Sequence, residues 1–134
     1  MVKSSRRSAT VLLVDDEASI RYPLCIFLQE NGYTVLEAGS GSEALEISKQ
    51  PGTTIDILIS DVIMPEMSGY ELAARLSKSF PGLKALFMSG YPEDVTRRRA
   101  SGLLGTNFIQ KPFIYSVLSE KIRQMLEIPG SETQ

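Results

Sequence analysis

The sequence predicts an α/β domain in which a parallel sheet of five strands is doubly wound by helices, in (βα)5 order. Short apolar, β-branched runs alternate with amphipathic stretches, and Gly, Pro and Asn mark the junctions between them. A length of 134 residues suits one such domain and leaves little room for a second. Hydrophobic residues at 43% and charged residues at 22% fit a packed core with a solvated surface.

Thr10-Val11-Leu12-Leu13-Val14 is too brief for a helix and reads as a fully buried strand. The helical stretch after it carries Ile20, Leu24, Phe27 and Leu28 on one face and is stopped by Asn31-Gly32. Pro23 lies inside that stretch, where it either kinks the helix or marks its real start. Tyr33-Thr34-Val35-Leu36 is the second strand, and residues 40–49 form a helix ended by Pro51-Gly52. Residues 55–60 are the third strand, leading into Asp61, and residues 69–78 the third helix, with Leu72 and Leu76 one turn apart. Pro81-Gly82 introduces a fourth strand at 83–88, and Pro92 opens an Arg-rich helix that Gly102 and Gly105 end. Asn107-Phe108-Ile109 is the fifth strand. The closing helix is expected to begin at Pro112, with Phe113, Val117, Leu118, Ile122 and Met125 on its apolar face.

Composition narrows the chemistry. The chain has no histidine, which excludes His-based triads, His metal ligands and His acid–base catalysis. Cys25 is alone, so no internal disulfide forms, and its apolar neighbours make it a small core residue rather than a reactive thiol. A net charge of −2 argues against general nucleic-acid binding, and Arg97-Arg98-Arg99 reads as a solvated helix face. No apolar run approaches the roughly 20 residues of a membrane span, and the basic start lacks the apolar core of a secretory signal. These features lead us to expect a cytoplasmic domain at 10–127, a flexible leader at 1–9 and a short tail at 128–134.

In a parallel α/β sheet the ligand site lies beyond the carboxyl ends of the strands, where the strand order reverses. There the sequence places Asp15 and Asp16 after the first strand, Asp61 after the third, Ser89 after the fourth and Lys111 after the fifth. Taken singly these are weak signals. Asp-Asp is often a helix cap, Ser89-Gly90 a turn, and Lys111-Pro112 a solvated lysine before a helix. Together they bring three carboxylates, a hydroxyl and an ammonium to one rim. Clustered carboxylates call for a cation, and hard oxygen ligands suit Mg²⁺ or Mn²⁺. With a carboxylate nucleophile at Asp61 and positive charge at Lys111, such a rim is arranged for phosphoryl transfer.

The residues that carry this rim resemble the response-regulator receiver domains of two-component signalling. The resemblance lies in Val11-Leu12-Leu13-Val14-Asp15-Asp16-Glu17, Asp61-Val62-Ile63-Met64-Pro65-Glu66-Met67-Ser68-Gly69, Met88-Ser89-Gly90-Tyr91 and Gln110-Lys111-Pro112-Phe113. It implies a flavodoxin-like fold with strand order 2-1-3-4-5 and a cis bond between Lys111 and Pro112. It implies Asp61 as phosphoacceptor, with Asp15, Asp16, Asp61 and the backbone carbonyl of Ile63 as the metal site. It further implies Ser89 as the switch hydroxyl, Phe108 as the switch aromatic and Lys111 as the conserved-type lysine. The donor would be a phosphohistidine on a histidine kinase or histidine phosphotransfer protein, with no nucleic-acid or membrane contact by this domain. Pairing of two copies through the fourth helix, fifth strand and closing helix is open, as in many relatives. Met88-Ser89-Gly90-Tyr91 and the closing helix look similar to receivers at the carboxyl ends of hybrid sensor histidine kinases; a stand-alone regulator is the alternative.

Two positions depart from the commonest polar choices, Ile63 and Tyr91, and bulk there is expected to slow loss of the phosphoryl group. Tyr22 and Ile26, one turn apart and opposite the buried face of the first helix, are candidate docking residues. Two other readings are open to the residues. Gly39-Ser40-Gly41-Ser42-Glu43-Ala44 fits G-x-G-x-x-A, with Asp61 twenty residues beyond Gly41, but it follows the second strand rather than the first. A haloacid-dehalogenase-like phosphatase would need D-x-D after the first strand, where the sequence has Asp15-Asp16-Glu17.

Overall fold

The computed structural model describes residues 8–90 and 107–131. The elements are β1 (Thr10–Val14), α1 (Ala18–Glu30), β2 (Thr34–Ala38), α2 (Gly41–Ser48), β3 (Ile57–Asp61), α3 (Gly69–Ser79), β4 (Lys84–Ser89), β5 (Asn107–Gln110) and a closing helix α4 (Tyr115–Ser131). All the strand pairings are parallel, and the order is β2-β1-β3-β4-β5, the flavodoxin-like arrangement. The Arg-rich helix expected after Pro92 lies outside the described residues, as do Tyr91, Gly102 and Gly105.

The period-2 alternation of β1 explains why helices cover both faces. Val11 and Leu13 point to one side, into a core with Leu24, Cys25 and Leu28 of α1 and Leu118, Ile122 and Met125 of α4. Leu12 and Val14 point to the other, against Ala44 of α2 and Leu72 and Leu76 of α3. Residues such as Leu12, Leu13, Ile57, Leu58 and Ile59 are wholly enclosed, and each contributes about 1.5–3 kcal/mol by leaving water. That two-sided burial is why these strands read as unbroken apolar runs.

Helix ends follow local chemistry. Ser40 caps α2 by accepting from the Glu43 N–H, and Ser68 caps α3 by accepting from the Glu71 N–H. At the end of α1, Gly32 has φ +94°, and the N–H groups of Gly32 and Tyr33 donate to the carbonyls of Gln29 and Leu28. This is the paired pattern that closes a helix on a left-handed residue.

Some expectations need correction. Helix α1 begins at Ala18, so Pro23 sits within it and does not mark its start. Pro23 is exposed, which leaves water free to satisfy the carbonyl that its missing N–H abandons. Helix α4 begins at Tyr115 rather than at Pro112, and it continues past Glu127 to Ser131. Val117 is 49% exposed and does not belong to the apolar face, which Leu118, Ile122 and Met125 form at intervals of four and three.

Candidate functional site

Strand register builds the rim. Val14 lies opposite Ser60, Asp61 opposite Met88, and Ser89 opposite Gln110. The residues that follow or end those strands therefore emerge side by side. Among the described residues, Asp15, Asp16 and Asp61 form a cluster in which one carboxylate oxygen from each lies within 4.8 Å of the others. Lys111 completes it, with Nζ 2.9 Å from Asp61 Oδ1 and 3.6 Å from Asp15 Oδ2. Its backbone N–H donates to the Ser89 carbonyl at 2.8 Å, which ties the lysine to the end of β4. The bond joining Lys111 to Pro112 is cis.

The three acids stand in different surroundings. Asp15 is fully buried, Asp61 intermediate and Asp16 exposed. Asp15 Oδ1 accepts from the Glu17 N–H at 2.9 Å, closing the turn into α1. Its Oδ2 is buried without a hydrogen-bond partner, and Lys111 stands beyond hydrogen-bond reach of it. An orphaned buried carboxylate oxygen facing two further carboxylates is what an oxygen-seeking cation satisfies, so this donor set fits Mg²⁺ or Mn²⁺.

Asp61 is seated by its own strand and by α3. The Ser60 hydroxyl donates to the Asp61 carbonyl at 2.8 Å. A Cβ on Gly69 would come within 2.3 Å of that same carbonyl, so only glycine lets α3 start this close to β3. Between them, Glu66 holds a left-handed φ of 73°, and the Met67 N–H bonds to the Pro65 carbonyl. Burial pushes the Asp61 carboxyl above the usual aspartate range; Lys111 opposes this, and Asp15 and Asp16 reinforce it. For Lys111, burial works against the charge, but its hydrogen bond with Asp61 and the charges of Asp61 and Asp15 outweigh it and hold the ammonium above its ordinary range.

An open cavity of about 510 Å³ lies over these groups, lined by Asp16, Glu17, Asp61, Val62, Ile63, Ser89, Gly90 and Lys111. Ser89 is buried, whereas Ile63 is 58% exposed at this mouth. Phe108 is half-buried, its ring 5.7 Å from that of Phe87 and 6.3 Å from that of Tyr70. Tyr22 and Ile26 are 57% and 55% exposed on α1. Sequence reading missed the lining role of Glu17 and the contact of Arg21 with the Asp15 carbonyl at 2.5 Å. An arginine six residues into a segment that opens on two acids was the available signal. Cys25 is buried and its thiol is pushed up to about 11, first by burial and then by Glu37, consistent with a packing role.

The glycine-rich segment is accounted for by helix entry. The Glu43 side chain accepts from the Gly39 N–H at 2.8 Å while Ser40 accepts from the Glu43 N–H, a reciprocal cap on α2. Gly41 packs where a Cβ would meet Met67 Sδ at 2.8 Å.

Fold and rim together define a class: a flavodoxin-like domain with an acidic cluster and a lysine at the carboxyl edge of its sheet. Residues 11–123 match the family model of the response regulator receiver domain, and the chain belongs to that family. It is 47% identical over 120 residues to the sensor kinase CckA of Brucella abortus, an alignment spanning 90% of this chain and 13% of that protein. It is 31% identical to the response regulator receiver protein CpdR of Brucella abortus, covering 87% of this chain and 95% of that one. Among solved structures, it is similar to the receiver domain from the hybrid histidine kinase CckA, with a TM-score of 0.69, 36% identity and coverage of 88% of this chain and 99% of that one. The chain spans about half the length of other curated regulators that it matches.

The upward displacement of Asp61 has a consequence for stability. Because its folded-state value lies above its unfolded one, the folded chain holds that proton more tightly. The resulting stabilisation is fully present below the unfolded value and is lost as pH rises through the folded one. Asp61→Asn is therefore expected to raise the thermal midpoint at neutral pH, with a gain that shrinks on acidification. Calorimetry across pH checks this; a variant less stable than wild type at neutral pH contradicts it.

Proposed function

We propose that this domain is the phosphoacceptor module of a two-component or phosphorelay system, with Asp61 as the acceptor. The orphaned Asp15 Oδ2, buried beside Asp16, Asp61 and Lys111, is the observation that carries this reading. Asp15, Asp16 and Asp61, with the backbone carbonyl of Ile63, would hold Mg²⁺ or Mn²⁺. Such an ion, when bound, neutralises the acids and stabilises negative charge on phosphoryl oxygens. An oxygen of the Asp61 carboxylate attacks phosphorus of a phosphohistidine on a histidine kinase or histidine phosphotransfer protein. The P–O bond forms as the P–N bond breaks, and the imidazole nitrogen leaves with the electron pair. Lys111 neutralises charge on the transferred group, and Ser89 supplies a hydroxyl to one of its oxygens. Movement of Ser89 opens space beside Phe108, and turning of that ring changes the outer surface.

The similarity to CckA supports a parent chain of the hybrid sensor histidine kinase type, whereas similarity to CpdR supports a stand-alone regulator. The former is the reading we adopt, with a cytoplasmic location. Among the described residues no helix is long and apolar enough to cross a membrane. Pairing of two copies through β5, α4 and the segment between β4 and β5 would carry the switch to a partner copy.

Acetyl phosphate with Mg²⁺ or a phosphohistidine donor is expected to yield a single phosphoryl adduct by intact-mass spectrometry. Lys111→Met should slow its formation on the order of 100-fold. Adduct formation that is indifferent to Mg²⁺ and to Lys111→Met contradicts the proposal. At Ile63, an apolar side chain at the cavity mouth offers an attacking water no hydrogen bond. Ile63→Asn should speed phosphate loss by about tenfold, the rate equivalent of ~1.4 kcal/mol; an unchanged lifetime would remove Ile63 from the account. Tyr22 and Ile26 form the docking face on α1, so Tyr22→Ala with Ile26→Ala should lower transfer from a protein donor by roughly tenfold while leaving acetyl phosphate reactivity intact. Equal loss with both donors argues against docking there.

A further inference from the structure

Arg21 makes contacts that the phosphoryl-transfer reading does not use. It lies in the second turn of α1 with its side chain only 13% exposed, reaching back toward the sheet. Its Nη1 donates to the Asp15 carbonyl at 2.5 Å, and its Nε pairs with Glu37 Oε1 of β2 at 3.1 Å. Gly39 leaves room for the guanidinium, since a Cβ there would lie 3.3 Å from Nη1. One planar group thus joins the first helix, the edge strand and the peptide between Asp15 and Asp16.

That peptide is the junction from which the acidic pair departs. Asp15 is held at its N–H by the Ala38 carbonyl at 3.2 Å and at Oδ1 by the Glu17 N–H at 2.9 Å. The peptide unit is planar, so fixing the Asp15 carbonyl also fixes where the Asp16 Cα lies, the point from which its side chain departs. Asp16 is exposed, yet one of its carboxylate oxygens lies within the 4.8 Å cluster. We propose that Arg21 is a positioning residue for the acidic rim, orienting the Asp15–Asp16 peptide so that both carboxylates converge on the cation with Asp61. Glu37 takes part indirectly by holding the guanidinium in place. The inference rests on the metal-binding reading given above. Groups that orient metal ligands from behind typically contribute 10–100-fold to affinity.

The test compares wild type, Arg21→Met, Arg21→Lys and the double variant Arg21→Met with Glu37→Gln, measuring Mg²⁺ affinity by titration calorimetry and thermal midpoint without metal. Arg21→Met should weaken Mg²⁺ binding about tenfold or more. Arg21→Lys should recover part of the loss, because one ammonium cannot span both acceptors as the fork does. The double variant removes the carboxylate that Arg21→Met leaves unpaired. It should regain thermal stability relative to Arg21→Met without regaining Mg²⁺ affinity. Recovery of affinity together with stability would reduce Arg21 to a structural ion pair and overturn the inference. Equal Mg²⁺ affinity in wild type and Arg21→Met would overturn it too, while leaving the metal site intact. Absence of Mg²⁺ binding by wild type would instead remove the metal reading and this inference with it.

Discussion

The ion pair between Lys111 and Asp61, 2.9 Å long and set beside the fully buried carboxylate of Asp15, is the constraint around which the rim is organised. Three carboxylates within 4.8 Å repel one another, and a single ammonium cannot neutralise them. Lys111 hydrogen-bonds to Asp61 and reaches Asp15 only through a longer ion pair of 3.6 Å, leaving Asp15 Oδ2 without a hydrogen bond. Desolvating a carboxylate without full pairing is costly, and buried charges are as a rule paired or coordinate a metal. The rim therefore carries a standing electrostatic demand that an incoming cation or phosphoryl group changes.

The sheet makes that demand geometrically sustainable. Parallel strands in register deliver Asp15, Asp61, Ser89 and Lys111 from four neighbouring strand ends. Enclosed side chains on both faces hold those ends still. Local bonds then refine each position: Ser60 and Gly69 at the Asp61 carbonyl, Arg21 at the Asp15 carbonyl, and the Ser89 carbonyl at the Lys111 N–H. The result is a preorganised set of charges on rigid elements, with exposed Asp16 and Ile63 facing the open cavity.

Much of this was legible in the sequence because burial on both faces leaves a plain mark. The runs at 10–14 and 55–60 announced their strands, and the acids just beyond them announced the rim. Ser40 as helix entry and Asn31-Gly32 as helix exit were readable from capping chemistry alone. Features that depend on another element's position were not readable. The sequence gives no hint that Gly69 abuts the Asp61 carbonyl, since that depends on where α3 lands. Arg21 looked like any charged residue on an amphipathic helix until Glu37 and the Asp15 carbonyl were brought to it. Val117 was misassigned because it leaves α4 about 100° round the axis from Leu118, off the face that Leu118, Ile122 and Met125 share. Pro23 was ambiguous because propensity opposes a helix there, while burial of Leu24, Cys25 and Leu28 favours one, and packing prevails.

Under the proposed function, Asp61 and no other carboxylate takes the phosphoryl group. Borohydride reduction of the protein after Mg²⁺-dependent phosphorylation, followed by peptide mapping, tests it directly, because an acyl phosphate on aspartate is reduced to homoserine. Homoserine is expected at position 61 alone, with Asp15 and Asp16 unmodified. Reduction product at Asp15 or Asp16, or a phosphorylated chain that yields none, would contradict it.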